Sequence, residues 1–443
     1  MKIIIVGAGA VGSIVAKRLS RENHDVTLIE ANEAVVAEAQ QHLDALVIQG
    51  NGATIPMLKE AEVEKADILI AVTDVDEINI LACLTAHRLG VPTKVARVRN
   101  EDYYAGEASC FEEISHLINP DREAVNALYE LLQKKAATDI YEFADGRVQV
   151  VGARVGRGAA VEGKSLIEIE SELGARWALV ASITRAGKTI IPCGEDLLQE
   201  DDQVFIVGRR GKIEEALQYL APPTAPIEAV MIVGANSIGV SLARMLSDNG
   251  IAVKLLDSNS DLAHRASTKL ENTLVLLGDP TDLEFLESEG LAEMDGFVAL
   301  SEDDDMNLMA SLLARTHGAR KTIALIRQPN YVPLLSTIGV DAAVSPRLST
   351  ADAIMRYFRR GNLLSLTSLK ENDAEIVELQ ATEHSKVTGI PLAEVEFTKN
   401  ALLGAIIKPY QVVIPRGGDV IDPGDKVLVF ALPSAVSAVQ KLF

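Results

Sequence analysis

Three observations predict an α/β fold with two doubly wound parallel sheets, each followed by a small α+β domain. A glycine-turn segment is written twice, at residues 3–30 and 230–257. Apolar strands alternating with amphipathic helices follow each copy. Each series then gives way to short Val- and Ile-rich strands with Gly turns. A whole supersecondary context repeated at matched spacing carries far more weight than a short motif alone.

The first copy, IIIVGAGAVGSIVAKRLSRENHDVTLIE, contains every part of a Rossmann-like βαβ unit. An apolar strand feeds the turn Gly7-Ala8-Gly9-Ala10-Val11-Gly12, and an amphipathic helix follows. Gly7 permits the tight turn, Gly9 lets the backbone approach a pyrophosphate, and Gly12 lets the helix pack closely on the strand. The helix N-terminus offers free N–H groups and the positive end of its dipole to phosphates. Glu30 ends the second strand, where a carboxylate accepts hydrogen bonds from a ribose diol and repels a 2′-phosphate. The expected ligand is therefore NAD rather than NADP.

The second copy, VMIVGANSIGVSLARMLSDNGIAVKLLD, departs at one place. Gly234, Ala235, Ser237, Ile238 and Gly239 preserve the turn, but Asn236 stands where the middle glycine should be. Asn tolerates a left-handed backbone better than most residues, so the turn is expected to survive. Its side chain crowds the place of the pyrophosphate. Asp257 keeps the ribose position, at the same distance along the chain from Gly234 as Glu30 is from Gly7. A weakened or empty second site is the expectation.

The repeat continues downstream. Residues 65–98 (KADILIAVTDVDEINILACLTAHRLGVPTKVARV) are answered by 293–326 (EMDGFVALSEDDDMNLMASLLARTHGARKTIALI). Thr73 and Asp74 follow the fourth strand, at the carboxyl edge that faces a cofactor crevice; Ser301 and Glu302 are their equivalents. Asp74 with Glu77 also reads as a capping box, compatible with ligand contact by Thr73. Arg97 and Arg99 are two apart and predicted to share a face, with guanidinium forks suited to phosphate oxygens. Pairing with the acidic surface is the alternative. The second half has Leu325 in place of the first arginine and keeps Arg327.

Asn119-Pro120-Asp121 and Ser345-Pro346-Arg347 each open a helix, with Asn or Ser as N-cap and Pro in the first helical position. Val125, Leu128 and Leu132, and Ile354, Tyr357 and Phe358, fall at helical spacing on these helices. The short-strand segments at 148–207 and 376–430 match turn for turn, as in Gly163-Lys164-Ser165-Leu166 and Gly389-Ile390-Pro391-Leu392. Ala221-Pro222-Pro223-Thr224-Ala225-Pro226 is a semi-rigid spacer between the halves. The expected domains are 1–137, 138–221, 227–362 and 363–443, with 222–226 as linker.

With 443 residues, 48% of them hydrophobic, the chain has ample core. A formal net charge of −21 argues against general nucleic-acid binding and against adsorption on anionic lipid. The 3 cysteines, Cys83, Cys110 and Cys193, form no C-x-x-C pair and fit a reducing compartment. No Cys/His cluster with metal-ligand spacing occurs. No apolar run reaches membrane-spanning length, and the apolar N-terminus recurs internally, which argues against a signal peptide.

Taken together, Gly7 to Gly12, Ala71-Val72-Thr73, Ala96-Arg97-Val98-Arg99 and the tandem arrangement resemble the TrkA family. These are peripheral cytosolic subunits of bacterial Trk-type potassium uptake systems. Each half is similar to an RCK (also called KTN) unit, a Rossmann lobe at 1–137 or 227–362 followed by a TrkA-C lobe at 138–221 or 363–443. The resemblance implies a non-enzymatic subunit that gates an integral-membrane potassium translocator of the TrkH/TrkG type. It further implies NAD(H) and ATP/ADP as ligands and a cytoplasmic place on the inner face of the membrane. A homotetrameric ring is expected, its lobes paired through the helices after each sheet. A regulator of another cation channel or antiporter is the nearest alternative. An NAD-dependent oxidoreductase is the rival of another class. It needs a general acid or base near the nicotinamide, and the small lobes contain only 1 histidine, His384, and no evident catalytic pair.

Overall fold

Runs of β-branched residues bounded by glycine turns form the strands, and the amphipathic segments between them form the helices. The computed structural model describes all residues except 22–23, 105–110, 134–136, 157, 174–177, 186, 221–226, 329–330, 332–337, 359–364, 370–373 and 399. The spacer at 222–226 and Cys110 lie outside the described residues.

The first repeat runs β1 (Lys2–Val6), α1 (Ala10–Arg21), β2 (Asp25–Glu30), α2 (Glu33–His42), β3 (Leu46–Gln49), α3 (Ile55–Glu60), β4 (Ile68–Ala71), α4 (Asp76–Arg88), β5 (Thr93–Arg97), β6 (His116–Ile118) and α5 (Pro120–Gln133). Its six strands lie in the order β3-β2-β1-β4-β5-β6, every pair parallel. Ile3, Ile4 and Ile5 are all fully buried, as a central strand covered on both faces requires. The chain order reverses between β1 and β4, and there the carboxyl ends of the strands open a crevice.

A small lobe follows: β7 (Ala137–Phe143), β8 (Val148–Arg154), α6 (Leu166–Leu173), β9 (Ala178–Arg185), β10 (Lys188–Ile190), β11 (Gln203–Arg209) and α7 (Ile213–Leu220). Its antiparallel sheet has the order β10-β9-β11-β8-β7 and begins at Ala137, one residue before the expected boundary.

The second repeat runs β12 (Ala229–Val233), α8 (Ser237–Asp248), β13 (Ala252–Asp257), α9 (Ser260–Lys269), β14 (Thr273–Leu277), α10 (Leu283–Ser288), β15 (Gly296–Ala299), α11 (Asp304–Thr316), β16 (Lys321–Leu325), β17 (Ala342–Val344) and α12 (Pro346–Phe358). The strand order β14-β13-β12-β15-β16-β17 reproduces the first sheet. The last lobe comprises β18 (Ser365–Ser368), β19 (Glu375–Gln380), β20 (Ala401–Ile407), β21 (Val412–Val413), β22 (Lys426–Ala431) and α13 (Pro433–Gln440), with sheet order β18-β19-β22-β20-β21.

The chain divides into two compact units that do not follow the repeats. One is Met1–Asn126 with Ile326–Pro329 and Val344–Phe358; the other is Ala127–Leu325 with Asn330–Ala343 and Arg359–Phe443. In the first unit, α12 of the second repeat packs on the first sheet. Ala351, Ile354 and Met355 share a core with Ile3, Val15 and Leu19, and Arg18 Nη1 donates to Asp352 Oδ1 at 2.5 Å. In the second unit, the end of α5 packs on the second sheet. Leu132 Cδ2 lies 3.0 Å from where a Cβ on Gly296 would stand. The two small lobes of that unit share one core, which includes Phe143, Phe205, Leu428 and Phe430.

This corrects one expectation. Val125, Leu128, Leu132 and Ile354, expected to pair lobes of neighbouring chains, are buried within a single chain. Tandem duplication supplies both partners on one polypeptide, so each helix finds the other repeat's sheet. The side chains of Tyr357 and Phe358 lie outside the described residues.

Candidate nucleotide site

The first glycine turn is built as a cradle. Gly7 has φ +101°, a left-handed backbone that side chains rarely adopt, and its N–H donates to Ile29 O at 2.8 Å. A Cβ on Gly12 would stand 1.9 Å from Gly7 O, so only glycine lets α1 sit this close to the turn. Gly9 differs from both. Its φ is not positive, and a Cβ there would meet no protein atom within 4 Å. Among the described residues, no acceptor meets the N–H groups of Ala10, Val11 and Gly12. The first N–H groups of α1 are thus left without an acceptor in the chain beside the open space at Gly9, an arrangement suited to a pyrophosphate.

Glu30 ties the second strand to this cradle. Its Oε2 accepts from Ala8 N at 2.8 Å and its Oε1 from Asn32 N at 2.9 Å. Each carboxylate oxygen keeps a second lone pair, so a ribose hydroxyl can still donate to it.

Across the crevice, a residue outside the sequence-based candidates organises the loop after β4. Asn79, fully buried on α4, accepts from Thr73 N (2.9 Å) and Thr73 Oγ1 (2.8 Å). Its Nδ2 donates to Thr73 O (2.9 Å) and Arg97 O (2.8 Å). Asn307 repeats the pattern with Ser301 N, Ser301 O and Leu325 O. The signal was present in the sequence, as an asparagine recurring at one register inside two apolar helix faces.

The expected capping box does not form. The N-cap of α4 is Val75, with no side-chain cap. Glu77 instead accepts from Tyr103 Oη at 2.8 Å, and hydrogen bonds from its own backbone N–H and from Tyr103 hold its carboxyl below the usual range. Asp76, rather than Asp74, closes the loop by accepting from Arg99 N (2.9 Å) and Asn100 N (2.8 Å).

Arg97 and Arg99 do not act as a pair. Arg97, only 8% exposed, donates through Nη1 to Thr73 O (2.8 Å) and to Asp74 Oδ1 (3.0 Å). Its Nε is buried without a partner. Arg99 lies beyond the end of β5, mostly exposed, with Nε 3.5 Å from Asp121 Oδ1. The two-residue alternation fails because the strand stops at Arg97. In the second half Leu325 is fully buried and Glu302 is exposed.

The second turn keeps the frame and closes the cradle. Gly234 has φ +107°, Gly234 N donates to Leu256 O at 2.7 Å, and a Cβ on Gly239 would stand 1.9 Å from Gly234 O. Asp257 repeats the role of Glu30, accepting from Ala235 N (2.7 Å) and Asn259 N (2.8 Å). Asn236, however, is not left-handed. It sits at φ −75°, ψ −176° as the N-cap of α8. Capping, not backbone tolerance, explains an asparagine here.

Family models of the TrkA-N domain match residues 3–120 and 230–346, and those of the TrkA-C domain match 150–221 and 376–443. The Trk system potassium uptake protein TrkA of Vibrio alginolyticus is 34% identical over 452 residues, covering 100% of this chain and 98% of that protein. The chain belongs to the TrkA family. Homolog 1 of TrkA from Methanosarcina mazei is 33% identical over 454 residues, with 100% of both chains covered. Among solved structures, the GsuK RCK domain aligns with TM-score 0.59 at 19% identity, over 100% of this chain and 94% of that one. The GsuK channel bound to NAD aligns with TM-score 0.60 at 19% identity, over 100% of this chain and 78% of that one. The TrkA family chain therefore carries the RCK fold over its full length. Among its described residues, no group of three or more His, Cys, Asp or Glu could hold a metal ion, and no helix is long and apolar enough to cross a membrane.

Proposed function

We propose that this chain is a nucleotide-binding regulatory subunit that gates a membrane potassium transporter. The observation that carries the ligand reading is the cradle at Gly7–Gly12. Open space over Gly9, unmet N–H groups on Ala10, Val11 and Gly12, and a carboxylate at Glu30 together fit a dinucleotide. NAD(H) is the proposed ligand, with ATP and ADP as alternatives; a GsuK channel has been solved with NAD and another structure of GsuK with ADP. Gly7 to Gly12 would hold the phosphates, Glu30 the adenosine ribose, and the loop of Thr73 and Asp74 would border the ligand. When bound, the nucleotide supplies a state-dependent set of contacts rather than a reaction.

The relatives named as potassium uptake proteins support a translocating partner of the TrkH/TrkG type, with this chain peripheral on the cytoplasmic face. We assign residues 1–137 and 227–362 to the Rossmann lobes, 138–221 and 363–443 to the TrkA-C lobes, and 222–226 to the linker. The assembly proposed is a homotetramer.

Calorimetric titration of NAD, NADH, ATP and ADP into the full chain tests the ligand reading. Saturable binding by at least one of them is expected, and Glu30→Ala should weaken it by about 1.5–3 kcal/mol, the range for a hydrogen bond to a charged group. A folded Glu30→Ala chain with unchanged affinity for every ligand defeats the assignment.

A further inference from the structure

The same chain contains the cradle in two versions, which makes one an internal control for the other. Asn236 occupies the register of Gly9. Its Oδ1 accepts from Ile238 N and Gly239 N, both at 3.1 Å. These are the second-copy equivalents of the Val11 and Gly12 amides, which have no acceptor among the described residues. Asn236 Nδ2 donates at 2.5 Å to Leu300 O, just beyond the end of β15. One side chain therefore spans from the helix N-terminus to the neighbouring strand end, across the crevice at the reversal of strand order. That is the path a pyrophosphate takes in this class of fold. Two of the site's donors are already satisfied, and a side chain stands where Gly9 leaves open space.

We propose that Asn236 is a built-in plug that determines ligand specificity, so that each chain takes one dinucleotide, in the first lobe. A ligand entering the second cradle has to displace three hydrogen bonds before its phosphates gain any. The frame around the plug remains that of a binding site, since Gly234, Gly239 and Asp257 repeat the geometry of Gly7, Gly12 and Glu30. Of the three positions where the two turns differ (Asn236 for Gly9, Ser237 for Ala10, Ile238 for Val11), Asn236 is the one whose side chain caps the helix amides and reaches Leu300 O. Its retention gives α8 a capped end that needs no ligand, so the second lobe keeps one shape whatever the nucleotide level.

This inference rests on the nucleotide reading of the first lobe, and stoichiometry separates the two. Equilibrium dialysis of the full chain against NADH, at concentrations saturating the tightest site, counts molecules bound per chain. One is expected for the natural chain, none for Gly9→Asn, which writes the plug into the first lobe, and two for Asn236→Gly. Circular dichroism melts establish that each variant is folded. Should Asn236→Gly lose its fold with the helix cap, Gly9→Asn decides the matter alone. Two NADH bound by the natural chain, continued binding by Gly9→Asn, or only one bound by folded Asn236→Gly overturns the plug. None of NAD, NADH, ATP or ADP bound by the natural chain overturns the reading of the first lobe instead.

Discussion

At the scale of single residues, the glycines and the acidic strand ends were legible because each obeys a strict local requirement. Gly7 and Gly234 need a left-handed backbone, and Gly12 and Gly239 need the absence of a Cβ against a carbonyl. Such demands leave few residue choices, and so they show in a sequence. Asn79 was harder to see, because a buried amide that satisfies a loop looks like any polar residue on a helix until its partners are known. Arg97 shows the limit most sharply. Its side chain is held by Thr73 O and Asp74 Oδ1, so it braces the loop after β4 rather than reaching out as a free phosphate clamp. Arg97→Ala is accordingly expected to weaken ATP, ADP and AMP by similar factors, through loss of the loop's support. Fluorescence or calorimetric affinities for the three nucleotides measure the ratio. A loss confined to ATP would restore the direct contact with its terminal phosphate.

At the scale of elements, strand order and helix positions were legible from periodicity, whereas the partner of each amphipathic helix was not. A hydrophobic stripe states that a face is buried and is silent about what buries it. That is why α5 and α12 could be placed correctly on the chain and yet assigned to contacts between chains. Lys321, at the start of β16, shows what the exchange requires. Its Nζ donates to Leu131 O near the end of α5 (2.5 Å) and to Ala137 O (3.0 Å). Burial lowers its pKa to about 7, against the opposing pull of the Asp341 carboxylate. In the unfolded chain a lysine titrates near 10.4. Between those values the unfolded state binds more protons, so stability should rise with pH across that window and flatten below about 7. A neutral amine can still donate to both carbonyls, so the contact survives deprotonation. Urea denaturation at pH 7 and pH 9 should show a positive slope that Lys321→Met lacks. Identical pH dependence in the two chains would mean that Lys321 is not the group responsible.

For the whole molecule, the question is how a nucleotide in one lobe changes a transporter. Coupling depends on how differently the ligand binds two states of the assembly, typically about 1–3 kcal/mol between sites. In the proposed tetramer, a preference of about 1 kcal/mol at each of four first-lobe sites sums to about 4 kcal/mol, roughly a thousandfold shift in a two-state gate. On the proposed plug, the second lobes contribute no such preference. The small lobes, fused through the core around Phe143, Phe205 and Phe430, are suited to carry a displacement without deforming, because a close-packed core resists continuous distortion. The expected behaviour is that exchanging NADH for NAD, or ATP for ADP, changes potassium flux through the cognate translocator without consuming the nucleotide. Reconstitution in liposomes, with flux followed by a potassium electrode and nucleotide recovery followed by chromatography, measures both at once. Gly9→Asn should abolish the nucleotide response while Asn236→Gly retains it, since the response is assigned to the first lobe. Flux indifferent to the chain and to all four nucleotides would refute gating, and nucleotide turnover matching the flux would point to an enzyme.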